Sequence, residues 1–141
     1  MKTKGHQQYR SDEIHTADPR KIILLLYEGA ISFLQTARES AAANDTTGRA
    51  YNINRATAIV FELLHALDME RGGNIACNLR DLYIFTLRTL MEANKANRPD
   101  LIAECIPILE YLHDGWKQAM FKPQIQPSPE KLPQLSYSLR M

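Results

Sequence analysis

The sequence lacks the features that mark membrane-spanning, secreted and nucleic-acid-binding chains. No apolar run reaches the ~18 residues that a membrane span needs. The opening stretch MKTKGHQQYR has no apolar segment of the signal-peptide kind. Lysine and arginine total 17 against 16 aspartates and glutamates, so the formal net charge is only +1, and no basic stripe is present. We therefore predict a cytoplasmic protein with no membrane insertion and no nucleic-acid partner.

Cysteines and catalytic motifs are equally scarce. Cys77 and Cys105 are far apart and lack CxxC spacing, which is typical of small buried side chains rather than of a disulfide or metal site. The sequence contains no glycine-rich phosphate loop, no GxSxG motif, and no serine or cysteine beside a plausible base. These absences indicate a protein that is not an enzyme and that binds no cofactor.

The sequence is instead rich in helical periodicity, in four segments separated by polar turns. Asp18 can cap the first helix, and Pro19 occupies its first position, where a missing N–H costs nothing. In each segment, apolar residues recur at steps of three and four, the spacing of one helix face. The apolar stripes are Ile23, Tyr27, Ala30, Leu34, Ala37 and Ala41; then Ile53, Thr57, Val60, Leu64 and Leu67; then Ile75, Leu79, Leu82, Leu87 and Leu90; and finally Leu101, Cys105, Leu109, Leu112 and Trp116. This pattern predicts an all-α protein, an antiparallel four-helix bundle.

Polarity and proline content divide the chain into three regions. We predict a bundle domain over residues 18–120, preceded by an irregular, flexible segment over residues 1–17. Residues 121–141 are predicted to form an extended or disordered proline-rich tail, because repeated prolines exclude a regular helix. The prolines of the tail are Pro123, Pro127, Pro129 and Pro133. Pro107 removes one backbone hydrogen bond within the fourth helix and is expected to kink or break it.

The motif LDMERGGNIACNL joins the second and third helices. Each of its two adjacent glycines would cost about 1 kcal/mol relative to alanine inside a helix, so the pair indicates a turn. We predict that Gly72 forms a left-handed C-terminal cap and that Gly73 lets the chain restart at a new angle. The side chain of Asn78 is expected to form a hydrogen bond across this turn, with Asp68 and Glu70 at its tip.

The first two helices carry more apolar surface than one helix face of a bundle requires. Ile22–Tyr27 is a run of six large apolar residues, and at ~100° per residue Leu24 and Ile31 point away from the stripe. In the second helix, the excess residues are Ile59, Phe61 and Leu63. Periodicity leaves two interpretations open. Either these helices lie centrally and bury the surplus, or some of it lines a groove for another apolar chain.

Two Glu-x-x-His motifs, ELLH in the second helix and EYLH in the fourth, are the spacing found in di-metal helical bundles. A site of that kind also needs an inward-facing glutamate from each remaining helix. At ~100° per residue, each candidate carboxylate lies roughly 140–180° from the centre of its helix's apolar stripe. The candidates are Glu28, Glu62, Glu92 and Glu110. We expect them to face solvent, and we predict no metal site.

Two blocks of the sequence carry a resemblance to a known family. Residues 9–31, Y…I.TADPRKIILLLYEGAI, contain a tyrosine, a Thr-Ala-x-Pro element and an apolar run that ends in Leu-Tyr-acidic-Gly-Ala. Residues 67–94, LDMERGGNIACNLRDLYIFTLRTLMEAN, form the second block, and Trp116 also fits. On these residues the sequence resembles the flagellin-specific (FliS-type) export chaperones of bacterial flagellar type III secretion. Asp12, where asparagine is common, and the proline-bearing tail depart from the family pattern.

This resemblance implies a non-enzymatic chaperone that binds the C-terminal segment of flagellin one to one and prevents its premature polymerisation. It also implies contact with the flagellar export gate. Flagellar assembly regulators are further candidate partners, and the free protein is left open between a monomer and a homodimer. The surplus apolar residues would supply part of the flagellin groove. Our groove candidates are Ile14, Ile22, Leu24, Tyr27, Ile31, Ile59, Phe61 and Leu63.

Two further assignments follow from the same resemblance. Tyr9 is the candidate contact with the export gate, and Ile14 could alternatively cover an empty groove. For Gly72, Gly73 and Asn78 we favour a structural role, in which they set the angle between two groove walls. The alternative function is a helical interaction module for another export substrate or a regulator.

Overall fold

The protein is described by a computed structural model over residues 18–120, in which the chain forms four helices and no strand. Helix α1 spans Pro19–Ala42, α2 spans Thr46–His65, α3 spans Met69–Ala96 and α4 spans Pro99–Met120. The prediction of an all-α bundle is confirmed for this part of the chain. The predictions for the two terminal segments lie outside the described residues.

Aspartate side chains begin three of the helices. Asp18 accepts a hydrogen bond from the backbone N–H of Arg20 at 2.9 Å, and Asp45 accepts one from that of Gly48 at 3.0 Å. Asp68 caps α3 by accepting from the backbone N–H groups of Glu70 and Arg71. Side-chain and backbone hydrogen bonds from Arg20 lower the pKa of Asp18 to about 2, so this cap stays ionised at neutral pH.

The helices pack in a closed ring in which each contacts the next and α4 returns to α1. The contact between α1 and α2 is close, since a Cβ added at Gly29 would lie 3.3 Å from Cδ1 of Ile59. Nearby, the guanidinium of Arg55 lies 5.5 Å from the centre of the Phe33 ring. Helix α3 contacts its neighbours less extensively than α1 does. A shallow gap therefore remains on the α3 side of the bundle.

The core lies along the axis of this ring. Tyr27 of α1 and Tyr83 of α3 are fully buried, and their hydroxyls form a hydrogen bond between helices that are not neighbours in the ring. The largest other fully buried side chains are Leu34, Ile53, Val60, Leu63, Leu79, Leu90, Ile102, Leu109 and Leu112. The tyrosine pair thus joins opposite sides of a core that is otherwise almost wholly apolar.

The predicted α1 stripe is confirmed, but the α2 stripe is wrong by a rotation of the helix. The buried residues of α2 are Arg49, Ile53, Ala56, Val60 and Leu63. Ala56 is fully buried and takes a central position in this face. As a result Thr57 and Leu64, which were predicted to be central, are only half-buried and lie to one side. Helix α4 runs through Pro107 without a break, and this proline lies at the exposed surface.

The turn around the glycine pair differs from its prediction. Helix α2 ends at His65, several residues before the glycines, and Asp68 already starts α3. The positive φ falls at Gly73 (φ 51°, ψ −130°), which kinks α3 after its first turn, whereas Gly72 is a buried helical residue. The left-handed cap predicted at Gly72 is therefore wrong. The side chain of Asn78 is half-buried and forms no hydrogen bond within the described chain.

Replacing Gly73 by alanine is expected to lower the free energy of unfolding by about 1–2 kcal/mol, because a Cβ disfavours positive φ. No atom lies within 4 Å of the added Cβ, so the cost comes from the backbone alone. Asparagine should cost about as much, since ψ −130° lies far from the left-handed helical well near +47°. Urea unfolding measures both variants, with Asn74→Ala as the adjacent exposed control. An asparagine variant as stable as the natural chain would contradict this expectation.

Candidate functional site

The gap between α2 and α3 forms an open groove with a volume of about 370 Å³. Its lining combines a mainly apolar floor with a short polar end. The lining residues are Ile53, Asn54, Thr57, Phe61, Leu87, Leu90, Met91, Asn94 and Lys95. We refer to this feature as the α2–α3 groove.

Two large exposed apolar side chains form the rims of this groove. Phe61 of α2 is 45% exposed and Met91 of α3 is 69% exposed, although both lie in well-formed helices. Between them, Leu87 is half-buried, and Ile53 and Leu90 belong to the core. Exposed apolar side chains beside a recess that reaches the core are typical of a surface that binds another apolar chain. Methionine suits such a rim because its unbranched side chain adapts to different partners.

A buried arginine joins the two walls of the groove at its polar end. Arg49 of α2 is only 8% exposed, and its NH2 donates to the backbone carbonyl of Asn94 at 3.0 Å. Its Nε also donates to the side-chain oxygen of Asn94, at 3.4 Å. The last turn of α3 presents unpaired carbonyls and the negative end of the helix dipole, which favour a cation at this position. Arg49 therefore holds the C-terminal end of α3 against α2.

The predicted groove residues fall into three groups. Phe61 lines the α2–α3 groove, as described above. Leu24, Ile31 and Ile59 are half-buried and pack against the core, and Ile22 is half-buried near the start of α1. Because the side chains of this second group rest on the core, packing accounts for much of the apolar surplus of α1.

Two of the predicted groove residues belong to the third group and must be reassigned to the core. Tyr27 and Leu63 have no exposed surface. Tyr27 is hydrogen-bonded to Tyr83, and the rotation of α2 turns Leu63 inward. Neither side chain is available to a partner in this structure. The remaining candidates, Tyr9 and Ile14, lie outside the described residues.

Sequence reasoning missed the α3 wall of the groove. Leu87 was assigned to the core stripe of the third helix, and Met91 was not singled out. Their four-residue spacing places both on one helix face, but many pairs of core residues have the same spacing. Met91 lies beside the apolar stripe of the third helix, on a face that the core does not require, and this position could have indicated the α3 wall of the groove.

A second recess, of about 380 Å³, lies between α1 and α4 and is lined mostly by residues of polar type. There Oε2 of Glu28 lies 2.8 Å from Nε2 of His113, which joins the two helices. Glu110 and Asp114 are exposed at its rim, beside Ile31. Its lining therefore presents charged and polar groups beside the apolar side chain of Ile31.

The carboxylates considered for a di-metal site point outward, as the sequence predicts. Each of the four is exposed: Glu28, Glu62, Glu92 and Glu110. Within residues 18–120, no group of three or more histidine, cysteine, aspartate or glutamate side chains is placed to hold a metal ion. Burial raises the pKa of the Cys105 thiol to about 12, which keeps it protonated and unreactive. None of the four helices is long and apolar enough to cross a membrane.

Comparison with known proteins adds an independent line of evidence. A family model described as Flagellar protein FliS matches residues 2–123, which include all four helices. The flagellar secretion chaperone FliS of Campylobacter jejuni is 34% identical over 114 residues, which are 81% of this chain and 89% of the relative. The FliS chaperone of Salmonella typhimurium is 34% identical over 116 residues, which are 82% of this chain and 86% of the relative. Flagellar secretion chaperone FliSB of Pseudomonas aeruginosa is 33% identical over 114 residues, or 80% and 90% of the two chains.

Proposed function

Because this chain belongs to the FliS family of flagellar secretion chaperones, we propose that it binds the C-terminal segment of flagellin in the α2–α3 groove. The family consists of chaperones rather than enzymes. In the proposed role, the protein holds flagellin in the cytoplasm, prevents its premature polymerisation and aids its delivery to the flagellar type III export apparatus.

The observation that carries this proposal is the apolar groove with exposed Phe61 and Met91 at its rims. A flagellin segment that polymerises with its own copies must present an apolar face, and an unassembled copy exposes that face to water. Laying an amphipathic helix into an apolar groove covers that face without any chemical step. Ordering a disordered segment costs several kcal/mol, so the contact must be extensive. We therefore include the half-buried Ile22, Leu24 and Ile31 of α1, and Ile59 of α2, as secondary contacts.

Other parts of the proposal concern segments and partners beyond the groove. We assign the export-gate contact to Tyr9 and a flagellin contact to Ile14. Gly72, Gly73 and Asn78 act through structure, by directing α3 away from the end of α2. Flagellar assembly regulators and a second copy of the free chaperone are further partners for the same apolar surface.

The test compares two phenylalanines that are similarly exposed. Phe61→Asp is expected to weaken binding of a flagellin C-terminal peptide at least about tenfold, since a charge at the rim of an apolar groove is desolvated on binding. Phe85→Asp is the matched control, because Phe85 is 48% exposed on α3 and does not line the groove. Fluorescence anisotropy of a labelled peptide measures the Kd of each variant, and circular dichroism checks that both remain folded.

The outcomes test the binding site and the identity of the partner separately. Equal losses in both variants would contradict the groove as the binding site, and no binding by the natural chain would contradict flagellin as the partner. If the natural chain does not bind flagellin, the alternative function is favoured, a helical interaction module for another export substrate or a regulator. Unlabelled flagellin peptide should then fail to displace the other partner from the protein, whereas it would displace labelled flagellin peptide if flagellin were the partner.

A further inference from the structure

The α2–α3 groove and the sequence that follows α4 together indicate how access to the groove is regulated, an inference that rests on the proposed function. We propose that residues 132–139 of the same chain dock in the α2–α3 groove and compete there with flagellin. The family match ends at residue 123, so this segment lies beyond the region shared with the family. The competition would thus be a property of this chain rather than of the whole family.

The chemistry of the segment LPQLSYSL suits the groove. Leu132, Leu135 and Leu139 recur with i, i+3, i+7 spacing, and in a helix they would lie within about 60° of one another. This is the spacing with which a helix anchors itself in an apolar groove. Pro133 would fall in the first turn, where proline is tolerated. The segment contains no charged residue, which matches a groove with an apolar floor.

The level of Ile59 along the bundle axis, two residues from Phe61 of the groove, can be compared with the level at which α4 ends. The contact of Glu28 with His113 and that of Gly29 with Ile59 place these residues at one level along the axis. Met120, seven residues beyond His113, then lies about 10 Å below that level, since a helix rises 1.5 Å per residue.

The chain that connects α4 to the segment is long enough to reach the groove. With helices ~8–10 Å apart, the path around α3 from the end of α4 to the groove is roughly 30 Å. Residues 121–131 span about 34 Å at ~3.1 Å per residue in an extended proline-rich chain. A proline content such as that of Pro123, Pro127 and Pro129 favours a semi-rigid connection, which in the proposed docking would raise the effective concentration of the segment at the groove.

The competition predicts a measurable change in the apparent Kd for flagellin. If the segment occupies the groove in nine-tenths of the molecules, the apparent Kd for flagellin is about tenfold higher than that of the open groove. Flagellin then binds only by displacing the segment, so weaker apolar ligands are excluded. The segment would also cover Phe61 and Met91, the apolar surface through which two empty chaperones would otherwise associate.

The experiment uses two full-length double variants that add the same charge. Leu135→Asp with Leu139→Asp disrupts the apolar face, and Gln134→Asp with Tyr137→Asp is the matched control on the opposite face. We expect the leucine variant to bind the flagellin peptide about tenfold more tightly than the natural chain, with no change in the control. Equal affinities in all three proteins, or weaker binding by the leucine variant, would overturn the inference.

A second measurement works without flagellin and therefore separates this inference from the proposed function. In protein labelled at the methionine methyl groups, the Met91 resonance should shift in the leucine variant and stay in place in the control. An unchanged resonance in both would overturn docking even if flagellin binds. A shift that depends on protein concentration would show that a second copy supplies the segment, which would overturn docking within one chain. If flagellin fails to bind but Met91 responds as expected, the docking stands and the proposed function fails.

Discussion

Replacing Leu63 by alanine is expected to lower the free energy of unfolding by about 3 kcal/mol, because a fully buried leucine leaves a cavity that the core does not refill. Leu63 has no exposed surface and belongs to the core that α2 forms with its neighbours. Phe61, two residues earlier, is 45% exposed on the groove rim. Phe61→Ala should therefore change the free energy of unfolding by less than about 1 kcal/mol.

Urea unfolding followed by circular dichroism measures both changes, and an unaltered m-value shows that the unfolded state is the same. The same proteins are then tested for flagellin peptide binding at a temperature where both are folded. Leu63→Ala should retain the affinity of the natural chain, and Phe61→Ala should lose part of it. A Leu63→Ala protein that is fully stable but deficient in binding would show that Leu63 belongs to the groove rather than to the core.

Removing one hydroxyl of the Tyr27–Tyr83 pair is expected to lower the free energy of unfolding by about 2 kcal/mol. The two hydroxyls are hydrogen-bonded to each other and buried between helices on opposite sides of the bundle. Burial raises the pKa of both tyrosines well above its usual value, so both stay neutral at physiological pH. Tyr83→Phe leaves the hydroxyl of Tyr27 in the core without this partner, and Tyr27→Phe does the converse.

The double variant distinguishes a shared interaction from two separate ones. Since Tyr27→Phe with Tyr83→Phe leaves no orphaned hydroxyl, we expect it to cost no more than either single change. A double-mutant cycle from urea unfolding of the four proteins measures the coupling, with Tyr51→Phe at the exposed surface as a control. Strictly additive single effects would contradict a direct hydrogen bond between the hydroxyls.

The limits of sequence reasoning are clearest in α1 and α2. The α1 stripe was predicted correctly from Tyr27 to Ala41, because apolar residues repeat there at steps of three and four while Ile31 lies off that face. In α2, apolar residues occupy several faces, so periodicity could not decide whether Leu63 or Leu64 faces the core. In the structure Ala56 and Leu63 face the core, and α1 approaches α2 closely where Gly29 meets Ile59. That contact joins two helices, so no periodicity within one helix could reveal it.

The candidate site shows the same limit. Phe61 was selected because it is apolar and lies to the side of the core stripe; it lines the α2–α3 groove, and its contact with flagellin stays a prediction. The opposite wall, with Leu87 and Met91, was not found. A groove exists where two helices diverge, and the distance between α2 and α3 depends on the kink at Gly73 and on Arg49 holding the last turn of α3.

By itself, the sequence determined the all-α class, the number of helices, the cap at Asp18 and the family, because these depend on local periodicity, local hydrogen bonds and specific motifs. The outward direction of the candidate metal ligands also followed from the sequence. Only the tertiary structure decided which apolar residues are core and which are rim. The physical reason is that burial depends on how far neighbouring helices rotate and separate, and these quantities are set jointly by the side chains of all four helices.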